Sequence, residues 1–235
     1  MKKEEFINKC KEKGLLLDID KLNKLDEYAS FLVEYNQKIN LTSILDYEEI
    51  LDKHFYDSLL LSFYKDMHGT LVDIGTGAGF PGVVLKICYE DLKVILVEPI
   101  KKRCIFLNEL INKLELKNIE VINDRGENYS LKHREEYDFV TARAVTNLPN
   151  LIEVSGALVK LDGYFIALRG NIGNEEINEA KKAIKVMGFE IESINEDYLF
   201  DGSKRIISFM KKVKESPIKY PRQYSIIKQN PLWKK

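Results

Sequence analysis

The sequence predicts an α/β fold: a seven-stranded, mostly parallel sheet that closes with an antiparallel hairpin and follows an N-terminal helical extension. Three observations predict it. From residue 70 onward, apolar runs of strand length alternate with segments of helical length, the pattern of a parallel sheet with helices on both faces. The last two strand-length runs, 189–198 and 205–212, are joined only by Leu199-Phe-Asp-Gly-Ser203, too short for a crossover, so they pair as a hairpin. The first strand-length run ends in an acid and then enters a turn with glycine at every second position, Asp73-Ile-Gly75-Thr-Gly77-Ala-Gly79.

The elements follow in order. In residues 21–39, Leu22, Leu25, Tyr28, Leu32, Tyr35 and Ile39 recur at steps of three and four, one apolar helix face. Asn40-Leu-Thr-Ser43 breaks that helix, and a second is expected over 47–64. Strands are expected at 70–74, 93–97, 119–122, 137–142 and 162–168, ahead of the two hairpin strands. Helices are expected at 81–89, 100–115, 148–159 and 174–187. Pro217, Pro221 and Pro231 mark an irregular end. The expected organisation is therefore a helical extension over 1–66, a ligand-binding core over 67–214 and a basic tail over 215–235.

The glycine turn is the most informative stretch. Glycine removes side chains where a ligand would press on the backbone, and it accepts positive φ at little cost. The helix expected to follow offers free N–H groups at its start. Gly77-x-Gly79-x-x-Gly82 matches the dinucleotide pattern, and that match alone is weak. Asp73-x-Gly75-x-Gly77-x-Gly79 fits better the loop of S-adenosylmethionine (SAM)-dependent methyltransferases, in which an acid before the loop helps position the ammonium of the methionine moiety. A second acid should end the next strand and bind ribose hydroxyls; Lys93-Val-Ile-Leu-Val97 is followed by Glu98. A nicotinamide-dependent Rossmann enzyme also carries an acid there, so that alternative stays open, as does an inactive RNA-binding module on the same fold. The hairpin ending favours the Rossmann-like SAM-dependent methyltransferase fold.

Composition narrows the partners. At 45% hydrophobic over 235 residues the chain can build a full core. No apolar run approaches the roughly 20 residues of a membrane span, and Met1-Lys-Lys-Glu-Glu-Phe6 has no apolar signal region. Three cysteines without paired spacing, Cys10, Cys88 and Cys104, fit a reduced, cytoplasmic protein, and three scattered histidines offer no metal site. Net charge is −1, but Ser203–Lys235 holds ten basic residues and one acid, a net of +9 that leaves −10 on residues 1–202. A basic tail on an acidic body, interleaved with Tyr220, Tyr224 and Trp233, points to a nucleic-acid contact.

Methyl transfer from a sulfonium needs positioning and exclusion of water more than side-chain chemistry. The segment after the fourth strand reads Phe139-Val-Thr-Ala-Arg143-Ala-Val145, with no Asn/Asp-Pro-Pro-aromatic motif for an exocyclic amine, and no cysteine sits where cytosine-C5 enzymes need one. Both absences favour a target with its own lone pair, such as a ring nitrogen. Arg143 ends that strand beside the expected cleft; it is the candidate catalytic residue, able to hold a carboxylate, a phosphate or guanine O6, with a surface ion pair as its alternative. Asn123-Asp-Arg-Gly-Glu127 follows the third strand, where Gly126 and Glu127 can border an adenine. His54, Asp57 and Ser58 do not make a hydrolytic triad: Asp57 and Ser58 diverge by about 100° on a helix. They are expected to bond core or loop groups facing the cleft. Lys101, Lys102 and Arg103 open the helix after Glu98 as candidate RNA contacts, or as a solvated face.

With these residues in place, the chain resembles the RsmG (GidB) family of bacterial small-subunit ribosomal RNA guanine-N7 methyltransferases over nearly its whole length. The resemblance rests on Ile39-Asn-Leu-Thr-Ser43, His54-x-x-Asp57-Ser58, Val72-Asp-Ile-Gly-Thr-Gly-Ala-Gly-Phe-Pro-Gly82, Lys102-Arg103, Arg125-x-Glu127, Thr141-Ala-Arg-Ala144, Leu168-Arg-Gly170, Tyr220-Pro-Arg222 and Asn230-Pro-Leu232. It implies SAM as methyl donor and N7 of a guanine in 16S ribosomal RNA as acceptor, in the loop near the decoding site, on naked RNA or in the small-subunit particle. It implies SAM contacts at Gly75, Phe80, Gly126, Glu127 and Arg143, beside Asp73, Gly77 and Glu98 read above, and it adds Arg169 and Arg222 to the RNA-facing candidates. Position 169 is arginine where some members carry lysine, and residues 224–228 depart from the usual pattern.

Overall fold

The computed structural model describes residues 1–143 and 146–232; Ala144, Val145, Trp233, Lys234 and Lys235 lie outside the described residues. The sheet comprises β1 (Thr70–Ile74), β2 (Lys93–Val97), β3 (Ile119–Ile122), β4 (Tyr137–Arg143), β5 (Val159–Arg169), β6 (Phe189–Tyr198) and β7 (Lys204–Lys212). Their order is β3-β2-β1-β4-β5-β7-β6. The first five run parallel and β7 is antiparallel to both β5 and β6, the hairpin ending expected from the short 199–203 connection. Strand order reverses between β1 and β4. Chains leave those two strands in opposite directions, so a crevice opens at their carboxyl ends.

The helices are α1 (Lys3–Glu12), α2 (Ile19–Asn36), α3 (Tyr47–Ile50), α4 (Asp57–Leu59), α5 (Gly82–Cys88), α6 (Lys101–Lys113), α7 (Gly126–Lys132), α8 (Leu148–Ser155), α9 (Gly173–Val186) and α10 (Tyr224–Gln229). Asp18 caps α2 by accepting from Lys21 N, and Asn147 caps α8 by accepting from Asn150 N. The helix expected over 47–64 is helical throughout but not uniform. A wide π-type stretch, Leu51–Tyr56, separates α3 from α4, and a tight turn, Leu60–Phe63, ends it. Such widened turns accompany functional sites because they re-aim side chains and carbonyls. Three helices were not expected: α1, α7 and α10.

Alternation along the strands sorts the core. Leu71 on β1 faces the layer of α2, α5 and α6, where Leu25, Tyr28, Leu32, Val84 and Phe106 are buried. Val72 and Ile74 face the opposite layer with Leu151, Ile152, Ala180 and Ile184 from α8 and α9. The helical extension is thus one face of the main core, with Phe6 and Cys10 of α1 fully buried in it.

The C-terminal segment does not stand off as a tail. Tyr220 and Ile227 are buried, and Arg222 bonds the fully buried carboxylate of Glu153 on α8 through Nε (2.6 Å) and Nη2 (2.7 Å). Arg134 donates to the carbonyls of Ser216 and Tyr220. Five of the ten basic residues of Ser203–Lys235 meet acids, four of them on β7: Lys204 with Glu196, Arg205 with Asp57, Lys211 with Asp162 and Lys212 with Glu135, and beyond the strand Arg222 with Glu153. The charge separation along the chain is therefore reduced in space, which segment composition cannot reveal.

Candidate functional site

The glycine loop lies at the carboxyl end of β1, on the crevice. The amides of Gly75 and Thr76 bond Val97 O at 2.8 and 3.3 Å, which ties the loop to β2. Asp73 Oδ2 accepts from Thr76 Oγ1 (2.6 Å) and from Gly82 N (2.9 Å), joining strand, loop and the start of α5. At Gly77 (φ +63°) an added Cβ would meet only Gly75 O, at 4.0 Å, so its face of the loop is open. At Gly79 (φ +101°) a Cβ would fall 2.6 Å from Val83 Cγ2 and 2.8 Å from Tyr28 Oη, so the helical layer reaches the loop through Tyr28, whose hydroxyl also donates to Ala78 O.

Two acids border this loop, as expected. Asp73 is fully buried, and its Oδ1 has no hydrogen-bond donor. Burial pushes its pKa up to about 6 despite the donors on Oδ2. Glu98 is 1% exposed; its Oε2 accepts from Gly77 N (3.0 Å) and its Oε1 from Ile100 N (2.9 Å). Asn123 donates to Glu98 O at 2.9 Å and to Pro99 O at 3.1 Å, pulling the loop after β3 alongside. Gly126 begins α7 where a Cβ would sit 2.9 Å from both Ile74 Cγ2 and Val154 Cγ1. Glu127 is buried beside it. Together Ile74, Gly75, Pro99, Gly126 and Val154 bound a small cavity of about 210 Å³. These groups suit SAM. The unpartnered Asp73 Oδ1 lacks the donor that an ammonium supplies, Glu98 keeps acceptor capacity for ribose hydroxyls, and the cavity matches a flat apolar ring.

Arg143, at the end of β4, is no surface ion pair. Its Nη1 donates to Asp57 Oδ2 (2.8 Å) and to Lys53 O (3.1 Å), its Nη2 meets His54 Nδ1 at 3.2 Å, and its guanidinium lies 5.0 Å from the Phe80 ring centre. Phe80 stacks in turn on His54 at 4.3 Å. Asp57 is buried and also accepts from Arg205 Nε at 2.7 Å, so one carboxylate holds two arginines. The expected helix-to-cleft role of His54 and Asp57 is what the structure has; Lys53 and Arg205 were not anticipated. Arg205 follows Lys204 at the start of β7, and nothing in the sequence sets it apart. A cleft of about 680 Å³ beside Arg143 is lined by Lys53, His54, Asp57, Arg143, Arg169 and Arg205, among others.

Arginine has only donors, so His54 Nδ1 is the acceptor and Nε2 carries the proton, donated to Thr42 Oγ1 at 2.9 Å. Burial, reinforced by Arg143, drives the His54 pKa down to about 3. The ring is neutral in the fold and serves as a strut rather than a proton shuttle. Because the folded value lies below the ordinary 6.5, the unfolded chain takes up the proton first. The stabilisation is complete above about pH 6.5 and is lost as pH falls toward 3. Asp73 acts with opposite sign, since its raised value favours the fold when protonated, so the histidine effect is read from a variant. From pH 7 to pH 5 the native chain should lose about 2 kcal/mol more stability than His54→Gln, measured by urea denaturation. Equal losses would mean that His54 is protonated in the fold.

The remaining basic candidates fall into three environments. Lys101 and Lys102 are exposed and Arg103 is half-buried at the first turn of α6, with Arg103 Nη1 3.9 Å from Glu98 Oε2. Arg169 lines the larger cleft and is 8% exposed; its Nε lies 3.3 Å from Glu176 Oε2 but makes no hydrogen bond, and its Nη2 has no partner. Arg222 is committed to Glu153, and Tyr220 to the core, so neither is the free RNA-stacking tail that composition suggested. Trp233 lies outside the described residues. No helix among the described residues is long and apolar enough to cross a membrane, and no group of three His, Cys, Asp or Glu side chains among them is placed to hold a metal.

The GidB family model, described as rRNA small subunit methyltransferase G, matches residues 21–199. The ribosomal RNA small subunit methyltransferase G of Oceanobacillus iheyensis is 42% identical over 237 residues, covering 99% of this chain and all of that one. The Bacillus subtilis protein of the same name is 42% identical over 234 residues, covering 97% and 98%. Among solved structures, a SAM-dependent methyltransferase from Aquifex aeolicus superposes with a TM-score of 0.54 at 19% identity, covering 75% of this chain and 97% of that one. M. jannaschii TYW2, crystallised with AdoMet, superposes at 0.55 and 16% identity, covering 67% and 75%. At such identities these two share the fold alone.

Proposed function

The chain belongs to the rRNA small subunit methyltransferase G family, and on that premise we propose how its cleft works. The reaction is methyl transfer from SAM to N7 of a guanine in 16S ribosomal RNA. We assign Asp73, Gly75, Gly77, Phe80, Glu98, Gly126 and Glu127 to the cofactor, Arg143 to the reacting base, and the 680 Å³ cleft to the target nucleotide. The observation that carries this reading is the place of Arg143, at the strand-order reversal between the glycine loop and the larger cleft.

Bound SAM supplies a methyl group already activated on a sulfonium. Guanine N7 brings its own lone pair, so no general base is required, and neutral His54, with both ring nitrogens engaged, offers none. The work of the chain is orientation. Arginine has five donors; Asp57, Lys53 and His54 take three, leaving Nε and one Nη2 hydrogen. Those two can hold guanine O6, the acceptor adjacent to N7. Holding the fork from behind fixes its plane, so the base enters in one register. The product is a cationic purine, and the buried carboxylates of Asp73 and Glu127 favour that charge.

We assign Lys101, Lys102 and Arg103 to the RNA backbone. Three cations at a helix start oppose the helix dipole, so they cost stability there, and phosphate contact gives them a use. Arg169, with unpartnered donors beside the larger cleft, is assigned to the RNA near the target base. The substrate is cytoplasmic small-subunit RNA, naked or in the particle. Radiolabelled SAM offered with purified small subunits, naked 16S RNA and large-subunit RNA tests the whole reading. Label should enter small-subunit RNA and map to a 7-methylguanosine by chemical strand scission; label at another atom, or in large-subunit RNA alone, would overturn it.

A further inference from the structure

One wall of the 210 Å³ cavity comes from the C-terminal segment: Tyr224, the first residue of α10. We propose that the C-terminal segment completes the cofactor's nucleoside pocket and that the Tyr224 ring contacts the adenine. This rests on the assignment of the glycine loop to SAM.

The position of Tyr224 is built. On one side of it Arg222 makes its bidentate bond to Glu153, a residue of α8 next to Val154, which itself lines the cavity. Arg222 Nη2 also reaches Asn230 O at 3.0 Å, clamping the two ends of α10 together. On the other side Ile227 is fully buried. The Tyr224 hydroxyl donates to Oγ1 of Thr146, which also lines the cavity, at 3.4 Å. A ring on a segment anchored before and after it, lining a largely apolar slot with Gly75, Pro99 and Gly126, can present a π face to a flat heterocycle with little ordering cost on binding. A buried ion pair from α8 to the segment is costly to desolvate, and seating Tyr224 is what that pair accomplishes. The matched family model ends at residue 199, so this wall lies outside it.

Calorimetric titration of the full-length chain with SAM and with S-adenosylhomocysteine tests the contact, using Tyr224→Ala, Tyr224→Leu and Tyr224→Phe, each checked for an unchanged melting temperature without ligand. Tyr224→Ala should weaken both ligands by about tenfold, the scale of one base–aromatic stack. Tyr224→Leu fills the space without a π face and should be weakened nearly as much, whereas Tyr224→Phe should bind within about twofold of the native chain. Native affinity in folded Tyr224→Ala, or in Tyr224→Leu, overturns the proposal. If Tyr224→Ala fails to fold, the Leu and Phe pair decides alone. Failure of the native chain to bind SAM would instead strike the cofactor assignment itself.

Discussion

Arg143→Lys should reduce methyl transfer at least about 100-fold while the protein remains folded. Lysine keeps the positive charge near Asp57 but replaces a planar fork with a single ammonium. It cannot bond Asp57, Lys53 O and His54 Nδ1 from one side and present two parallel donors on the other. Arg205 still holds Asp57, so the buried carboxylate is not left bare and the fold survives. Single-turnover rates with saturating SAM and RNA, beside circular dichroism, measure the two effects separately. Native rates in Arg143→Lys would reduce this residue to a structural cation.

Gly77→Val should abolish measurable SAM binding, and Glu98→Ala should weaken it about thirtyfold, from the loss of about 2 kcal/mol of charge-assisted hydrogen bonding. At Gly77 the added side chain projects into open space at the loop face rather than into the core, so it blocks the ligand more than it disturbs packing. The positive φ adds about 1–2 kcal/mol of strain. Glu98 supports the loop through Gly77 N as well as offering acceptors to a ribose, so its removal loosens the cradle and removes a partner together. Calorimetry on folded variants is the measurement; unchanged affinity in either would place the cofactor elsewhere.

Much of this arrangement was legible in the sequence, and the exceptions have separate causes. The strands β1, β2, β3 and β6 fall at their expected residues, because β1 and β2 are short, mostly apolar runs and β6 largely alternates apolar and polar residues after Gly188. The glycine loop, Glu98 and Arg143 were found by the same logic of chemistry at strand ends. Helices α7 and α10, of seven and six residues, are too short to show a period of 3.6. The π-type stretch at Leu51–Tyr56 leaves no mark on composition, yet it sets Lys53 O and Asp57 on Arg143. The C-terminal segment misled for a different reason. Arg222 pairs with Glu153, and upstream on β7 Arg205 pairs with Asp57, and distance along the sequence hides such pairing.

We propose methyl transfer to guanine N7 of 16S ribosomal RNA, with the base held by Arg143. Its most direct test is the 7-methylguanosine content of 16S RNA from a strain lacking the chain, complemented with the native gene or with Arg143→Lys. One 7-methylguanosine should disappear in the deletion strain, return with the native chain and stay absent or sharply reduced with the variant. An unchanged 7-methylguanosine content in the deletion strain would contradict it.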